Sequence, residues 1–404
     1  MTVSIKPGQA RGAVTAPPSK SMSHRLLLCA GLAAGESRVH NLAFSQDILA
    51  TLDCLNACGT RTVIDGSSVT LQGADPRFAA PQDTVSCRES GSTLRFFIPL
   101  FLLSGNEVTL SGEGRLPQRP QGVYEELCRS QGLLFEQNGK TIRLQGPLQS
   151  GQFSLPGDVS SQFISGLLFA LPLLKEDSFL RLTGKVESRS YIDMTLQALD
   201  AFGVKACWQE TDLLHIPGGQ SYRPGTATVE GDWSNAAFFY AMETLGHPVS
   251  VSGLLPDSLQ GDRVCLSYFR ALAEGCPTLD ISDCPDLGPI LMAVAAAKHG
   301  VHLTGTRRLK IKESDRGQVM AQELQRFGVS CRVEENDIFV GCGLTVPEGT
   351  LCGHNDHRIV MALSVLCTLT GGSIAEAEAV SKSFPDFFLR LQELGIEVSE
   401  IETE

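Results

Sequence analysis

The chain has 404 residues, enough for two or three domains of ordinary size. Hydrophobic residues are 42% and charged residues 19%, a globular balance that excludes a disordered or fibrous chain. Lys and Arg number 33 against 45 Asp and Glu, so the net charge of -12 argues against a general nucleic-acid binder and leaves room for a small anion gripped by a local basic cluster.

In chain order, six segments carry apolar residues at helical spacing and end on a glycine: 47–59, 122–132, 191–203, 266–275, 316–328 and 384–395. Each glycine suits a left-handed helix cap. The six glycines are spaced 73, 71, 72, 53 and 67 residues apart. That exceeds the roughly 20–50-residue period of common solenoids, so each repeat is expected to be a small subdomain. A second set of helices, opening at Ser19, Glu89, Val159, Gly231, Cys284 and His354, is apolar nearly all round and belongs between layers. Alternating runs at 62–71, 134–144 and 329–340 read as strand pairs around turns. The repeat is therefore strand, buried helix, strand, amphipathic helix, hairpin. The short interval leaves little room for a hairpin at 277–283. The sixth repeat ends early, and residues 3–6 are placed to supply its missing strand. The reading is an α/β protein of two domains with three repeats each, 16–229 and 1–15 with 230–404.

Thirteen cysteines include no Cys-x-x-Cys pair, and no His or Cys completes a metal set around Cys54 and Cys58. They are expected to be mostly buried small hydrophobes in a reducing cytoplasm. No secretory leader is expected at Met1-Thr2-Val3-Ser4, and the longest apolar runs, such as 96–103, are too short to cross a bilayer.

The openings of the buried helices are polar. Lys20, Ser21 and Arg25 lie in SKSMSHR; Ser90, Gly91, Ser92 and Arg95 in ESGSTLR; Ser160, Ser161 and Gln162 in VSSQF; Asn355, Asp356, His357 and Arg358 in NDHR. Arg119, Ser188 and Tyr191, Lys312 to Arg316, and Lys382 flank the amphipathic helices. Alone, a serine here is an ordinary helix cap and KESDR an ordinary charged helix start. The same slot filled in at least four of six repeats points instead to a grip on phosphates and carboxylates.

These blocks give the chain a close resemblance to the 5-enolpyruvylshikimate-3-phosphate synthases, the enolpyruvyl transferases of the shikimate pathway. PPSKSMSHR, ESGSTLRFF, GEGRLPQRP, GDVSSQFISGLL, ESRSYIDMTL, DCPDLGPILMA, KIKESDRGQVM, GHNDHRIVMAL and SKSFPDFF run in family order from residue 17 to residue 388. The resemblance implies a two-domain inside-out α/β barrel of six βαβαββ repeats, with the active site in the cleft between domains that close on ligand. It implies shikimate 3-phosphate and phosphoenolpyruvate as substrates, no cofactor, no metal, no nucleic-acid or membrane partner, and a monomer.

By the same resemblance, Lys20, Ser21, Arg25, Ser160, Ser161, Gln162, Ser188, Tyr191, Asp286 and Lys312 would bind shikimate 3-phosphate, with Arg25 on its carboxylate. Lys20, Gly91, Arg119, Gln162, Arg316, Arg358 and Lys382 would bind phosphoenolpyruvate. Asp286 would be the base for the attacking hydroxyl, kept ionised by its helix start, and Lys20 or Glu313 would deliver a proton to carbon. His357 would either orient Arg358 and Asp356 or move a proton. Asp315 is expected to partner an arginine, and Trp233 and Tyr240 to lie in the core. Glu89, Ser92 and Arg308 depart from the family's better-known residues at their positions. Gly91 is retained, so a glyphosate-like phosphoenolpyruvate mimic is expected to fit. The rivals are a UDP-N-acetylglucosamine enolpyruvyl transferase, whose Lys-Asn pair and loop cysteine are missing here, an RNA 3'-phosphate cyclase, which would need a nucleotide site and a basic surface, and an inactive anion-binding homologue.

Overall fold

Short polar side chains start the helices. In the computed structural model, which describes residues 1–81 and 83–401, Ser90 accepts the Thr93 N–H at 3.2 Å, Asp232 that of Asn235 at 2.7 Å, and Asp356 that of Arg358 at 2.9 Å. Each bond satisfies a donor that the first helical turn leaves without an intrahelical partner. Among the described residues the α-helices are α1 Lys20–Leu32, α2 Gln46–Ala57, α3 Gly91–Phe101, α4 Gly122–Gln131, α5 Ser161–Ala170, α6 Arg189–Ala201, α7 Trp233–Thr244, α8 Cys265–Glu274, α9 Gly288–Ala297, α10 Arg316–Arg326, α11 His357–Thr370 and α12 Phe387–Glu393.

The odd-numbered helices are buried almost all round: α5 exposes part of Gln162 only, and α9 buries every residue from Gly288 to Ala296. The even-numbered ones bury a stripe, such as Tyr124, Leu127 and Cys128 on α4 or Cys265, Phe269 and Leu272 on α8. Five of the six stop glycines are left-handed, with φ between 66° at Gly132 and 96° at Gly59. Gly275 is the exception, extended at φ 176°. After the left-handed caps at Gly59, Gly132, Gly203 and Gly328 the chain turns into a hairpin, and after Gly395 into strand Val398–Ile401. After Gly275 the chain instead runs directly into strand Thr278–Asp280 of the next repeat, and the fourth repeat has no hairpin.

The third repeat shows the sheet plan. Strands Gln152–Pro156 and Ser178–Thr183 pair in parallel, with Phe153 opposite Leu180. Hairpin strands Leu213–Ile216 and Cys207–Glu210 extend the sheet antiparallel. Three repeats take a strand from elsewhere in the chain. Thr226–Thr228 pairs in parallel with Glu36–His40 in the first repeat. Gly12–Thr15 pairs in parallel with Val249–Ser252 in the fourth. Thr2–Ile5 lies antiparallel between Gly372–Ala375 and Val398–Ile401 in the sixth.

The chain packs as two domains, Lys20–Glu230 and Met1–Ser19 with Gly231–Glu404. Each has its own core, around Leu27, Phe97 and Leu168 in one and Phe239, Leu291 and Val360 in the other. Helices lie inside and sheets outside in this inside-out α/β architecture. Eight of the thirteen cysteines are buried, while Cys207, Cys276 and Cys342 are exposed. Trp233 is buried and Tyr240 only half-buried, its ring stacked on the indole at 6.1 Å.

Candidate active site

In the domain Lys20–Glu230, the openings of α1, α3, α5 and α6 are tied to one another by buried polar side chains. Lys20 begins α1, and its ammonium donates to Asp47 Oδ2 on α2 at 2.8 Å. One turn on, Arg25 is buried, with its guanidinium donating to the Ser21 carbonyl at 2.7 Å, the Tyr191 carbonyl at 2.9 Å and Thr195 Oγ1 at 2.9 Å. Burial lowers its pKa to about 10, against the opposing pull of Tyr191 and Cys29.

Gly91 begins α3 and lies directly under Arg119; a Cβ there would overlap the guanidinium. Gln162 follows Ser160 and Ser161 at the start of α5. Ser160 caps that helix through the Gln162 N–H at 3.3 Å. The Gln162 side-chain oxygen accepts from Arg95 Nη1 at 2.7 Å and its amide nitrogen donates to Ser92 Oγ at 2.9 Å. Ser188 opens α6 in the left-handed region at φ 55°, a conformation that strains a serine. Tyr191 stands three residues on, its ring 5.9 Å from the Arg25 guanidinium carbon.

In the other domain, the openings of α7, α9, α10 and α11 assemble around one carboxylate. Asp286 sits in the turn Pro285–Leu287 that leads into α9. Its Oδ1 accepts from Lys312 Nζ at 2.9 Å and Arg316 Nη1 at 2.8 Å, and Arg358 Nη2 is 3.7 Å from its Oδ2. Burial alone would raise its pKa, but Lys312, Arg358 and Arg316 together outweigh that and hold it well below the usual carboxylate range. Burial lowers the Lys312 pKa, aided by Arg316 and Arg308 and opposed by Asp286 and Glu313.

Arg316, the first residue of α10, also donates to Glu313 Oε2 at 2.7 Å and to Asp356 Oδ2 at 2.8 Å. Arg358 donates to the Ser234 carbonyl at the start of α7 at 3.1 Å. Lys382 donates to the Asn355 carbonyl at 2.7 Å. The sequence-derived candidates therefore form two groups, one in each domain.

Several side chains were not assigned by sequence reasoning. Asp47 and Asp356 are the carboxylates that hold Lys20 and Arg316, and Arg95 is the donor that orients Gln162. Asp47 had one usable signal, an acid in the first turn of an amphipathic helix. Asp315 is a correction: it caps α10 through the Gln318 N–H at 3.2 Å, and Asp356 takes the arginine instead. His357 is buried, with Nδ1 3.9 Å from Asp356 Oδ1. Arg308 is also buried and donates to the Ser282 carbonyl. Among the described residues no group of three His, Cys, Asp or Glu is placed to hold a metal ion, and no helix is long and apolar enough to cross a membrane.

The comparisons agree with one another. The family model described as EPSP synthase (3-phosphoshikimate 1-carboxyvinyltransferase) matches residues 5–272 and 268–391. A 3-phosphoshikimate 1-carboxyvinyltransferase of Clostridium kluyveri is 38% identical over 98% of this chain and 98% of its own. One of Clostridium perfringens is 35% identical over 97% and 98%. In structure, an EPSP synthase from Acinetobacter baumannii superposes with a TM-score of 0.80 over 99% of this chain and 100% of that one, at 24% identity, which is a likeness of fold.

Proposed function

The chain belongs to the EPSP synthase family, and on that premise we propose how its residues divide the work of moving the enolpyruvyl group of phosphoenolpyruvate onto shikimate 3-phosphate. The activity is that of a 3-phosphoshikimate 1-carboxyvinyltransferase in the shikimate pathway. Two phosphates and two carboxylates have to be held. Lys20, Ser160, Ser161 and Ser188 take the shikimate phosphate. Ser21, Arg25, Gln162 and Tyr191 line its ring and carboxylate. Gly91, Arg119, Arg316, Arg358 and Lys382, with Lys20 and Gln162, take phosphoenolpyruvate.

The chemistry is addition followed by elimination. The 5-hydroxyl oxygen of shikimate 3-phosphate bonds to C2 of phosphoenolpyruvate while Asp286 accepts the hydroxyl proton. A proton from Lys20 or Glu313 goes to the methylene carbon, giving a tetrahedral ketal phosphate. Phosphate then leaves with its bonding pair, and loss of a methyl proton restores the double bond. Lys312 and the arginines stabilise charge in the intermediate.

The observation that carries this reading is the single carboxylate of Asp286 shared by Lys312, Arg316 and Arg358. A carboxylate so strongly paired is a weak base. Substrate anions that draw off those cations raise its pKa and make it a stronger one. The internal acids Asp286 and Glu313 thus serve as counterions until substrate replaces them, and Asp286 becomes basic only when the site is filled.

Phosphate release on mixing the protein with shikimate 3-phosphate and phosphoenolpyruvate tests the function. Release with UDP-N-acetylglucosamine in place of shikimate 3-phosphate, and none with the latter, reverses it. A cytoplasmic monomer is part of the proposal, and sedimentation at assay concentrations tests the oligomeric state.

A further inference from the structure

Arg25 is an unusual cation. It is buried, and all its bonds go to uncharged oxygens: the Ser21 and Tyr191 carbonyls, Thr195 Oγ1, and Ser165 Oγ at 3.4 Å. Phe96 and Tyr191 present their rings to it at 5.4 and 5.9 Å. A buried guanidinium held only by neutral acceptors is prepared for an anion.

The hydroxyl protons have one consistent arrangement. Thr195 Oγ1 accepts from Arg25 Nε, so its lone proton goes to the Tyr191 carbonyl 3.0 Å away, one helical turn back on α6. Ser165 Oγ lies 2.8 Å from Thr195 Oγ1 and must then be the donor of that pair. Both hydroxyls turn lone pairs toward the guanidinium. Four of its five N–H groups are thereby directed to the protein, and one on Nη1 is left to offer. Thr195 and Ser165 are wholly buried on α6 and α5, and although they lie in the ESRSYIDMTL and GDVSSQFISGLL blocks, neither is among the residues that the sequence assigns to a substrate.

We propose that Thr195 and Ser165 are positioning residues for substrate specificity: their relayed hydroxyls fix the Arg25 fork so that one Nη1 N–H meets the carboxylate of shikimate 3-phosphate. This rests on the reading that Arg25 binds that carboxylate. The relay sets the direction of one hydrogen bond, so its loss weakens recognition of the carboxylate and not of the phosphate. It also joins α1, α5 and α6, so that the Arg25 grip and the Ser188–Tyr191 turn are set together.

The test compares shikimate 3-phosphate with its analogue carrying a primary alcohol in place of the carboxylate, by calorimetric binding to the full-length protein. Variants are Thr195→Val, Thr195→Ser and Ser165→Ala. Bonds to charged groups of this kind correspond to a roughly tenfold to 100-fold change in affinity. The wild-type protein is expected to prefer the carboxylate by about that factor. Thr195→Val is expected to lose most of the preference by weakening only the carboxylate ligand, and Thr195→Ser to regain it. Ser165→Ala, with a smaller loss in the same direction, reads the relay independently should the valine variant fail to fold. A preference undiminished in folded Thr195→Val and Ser165→Ala overturns the proposal. A wild-type protein that binds both ligands equally overturns the Arg25 assignment beneath it, and that failure is visible before any variant is made.

Discussion

Arg316 at the first position of α10 and Asp356 at the cap of α11 form a pair with Nε 2.8 Å from Oδ2, the arginine side chain 2% exposed and the aspartate 0%. Asp356 has two tasks there, since its other oxygen caps α11 through the Arg358 N–H. Asp356→Ala leaves a buried cation short of its main counterion and removes the cap, and is expected to cost about 3–5 kcal/mol in urea unfolding of the ligand-free protein. Asp356→Asn keeps a capping oxygen while losing the charge and the acceptor that faces Arg316 Nε, so its loss should be smaller. Equal stability of all three proteins would show that Glu313 and Asp286 suffice for Arg316.

Gly91→Ala places a methyl group where the Arg119 guanidinium now lies. The arginine is long and can swing aside, so the melting temperature should move little. Its grip on phosphoenolpyruvate should not survive the move. About a tenfold rise in KM for phosphoenolpyruvate is expected, with KM for shikimate 3-phosphate nearly constant. An unchanged KM would remove Arg119 from the phosphoenolpyruvate set.

Asp286→Asn deletes the base and, in the empty site, the carboxylate shared by three cations. A fall in kcat of about 10²–10⁴-fold is expected. Binding of phosphoenolpyruvate should hold or tighten, because the competing internal anion is gone. Single-turnover kinetics with a separate binding titration distinguishes the two effects. Weaker binding together with intact kcat would make Asp286 structural.

His24 and His247 give the protein an acid-labile edge. Burial drives both imidazoles below the ordinary histidine range, and Lys20 and Arg25 push His24 further. His247 accepts the Ala10 N–H on Nδ1 at 3.1 Å and bonds Thr368 through Nε2 at 2.9 Å, an arrangement made for the neutral ring. Above about pH 6.5 neither the folded nor the unfolded chain protonates these rings. As pH falls through that value, the unfolded chain takes up protons that the folded one refuses, so stability falls until the folded pKa is reached. Melting temperature should decline from pH 7.5 to pH 5, and His247→Gln should flatten the slope. A slope identical to that of the wild-type protein would clear His247 of the effect.

The repeat could be read because its parts are local. A 3.6-residue stripe, a polar cap and a terminal glycine all lie within one segment, so α2, α4 and α10 and their hairpins stand where the pattern puts them. Gly275 shows the limit. The same residue in the same slot is extended, with the chain beyond it running straight into strand Thr278–Asp280, and a glycine alone does not reveal which backbone region it will occupy. The cations of the site were legible for a similar reason, sitting in compact motifs at helix openings. Two of their counterions were not. Asp47 meets Lys20 from another helix, and Asp356 meets Arg316 from a turn 40 residues away. Asp315, one residue from Arg316, looked the better partner, yet its backbone position turns its carboxylate onto Gln318. Arg95 likewise lay in a quoted motif, but only the packing of α3 beside α5 brings it to Gln162.

The strands taken from distant sequence give the two domains different histories on the ribosome. Lys20–Glu230 holds all its own partners and can finish folding once Thr226–Thr228 has emerged. Thr2–Ile5 is made more than 360 residues before its neighbours Gly372–Ala375 and Val398–Ile401. Through most of translation that nascent segment has both edges bare, open to pairing with a neighbouring chain on the same message. A chaperone that shields residues 2–5 during synthesis is therefore expected to raise the yield of folded protein.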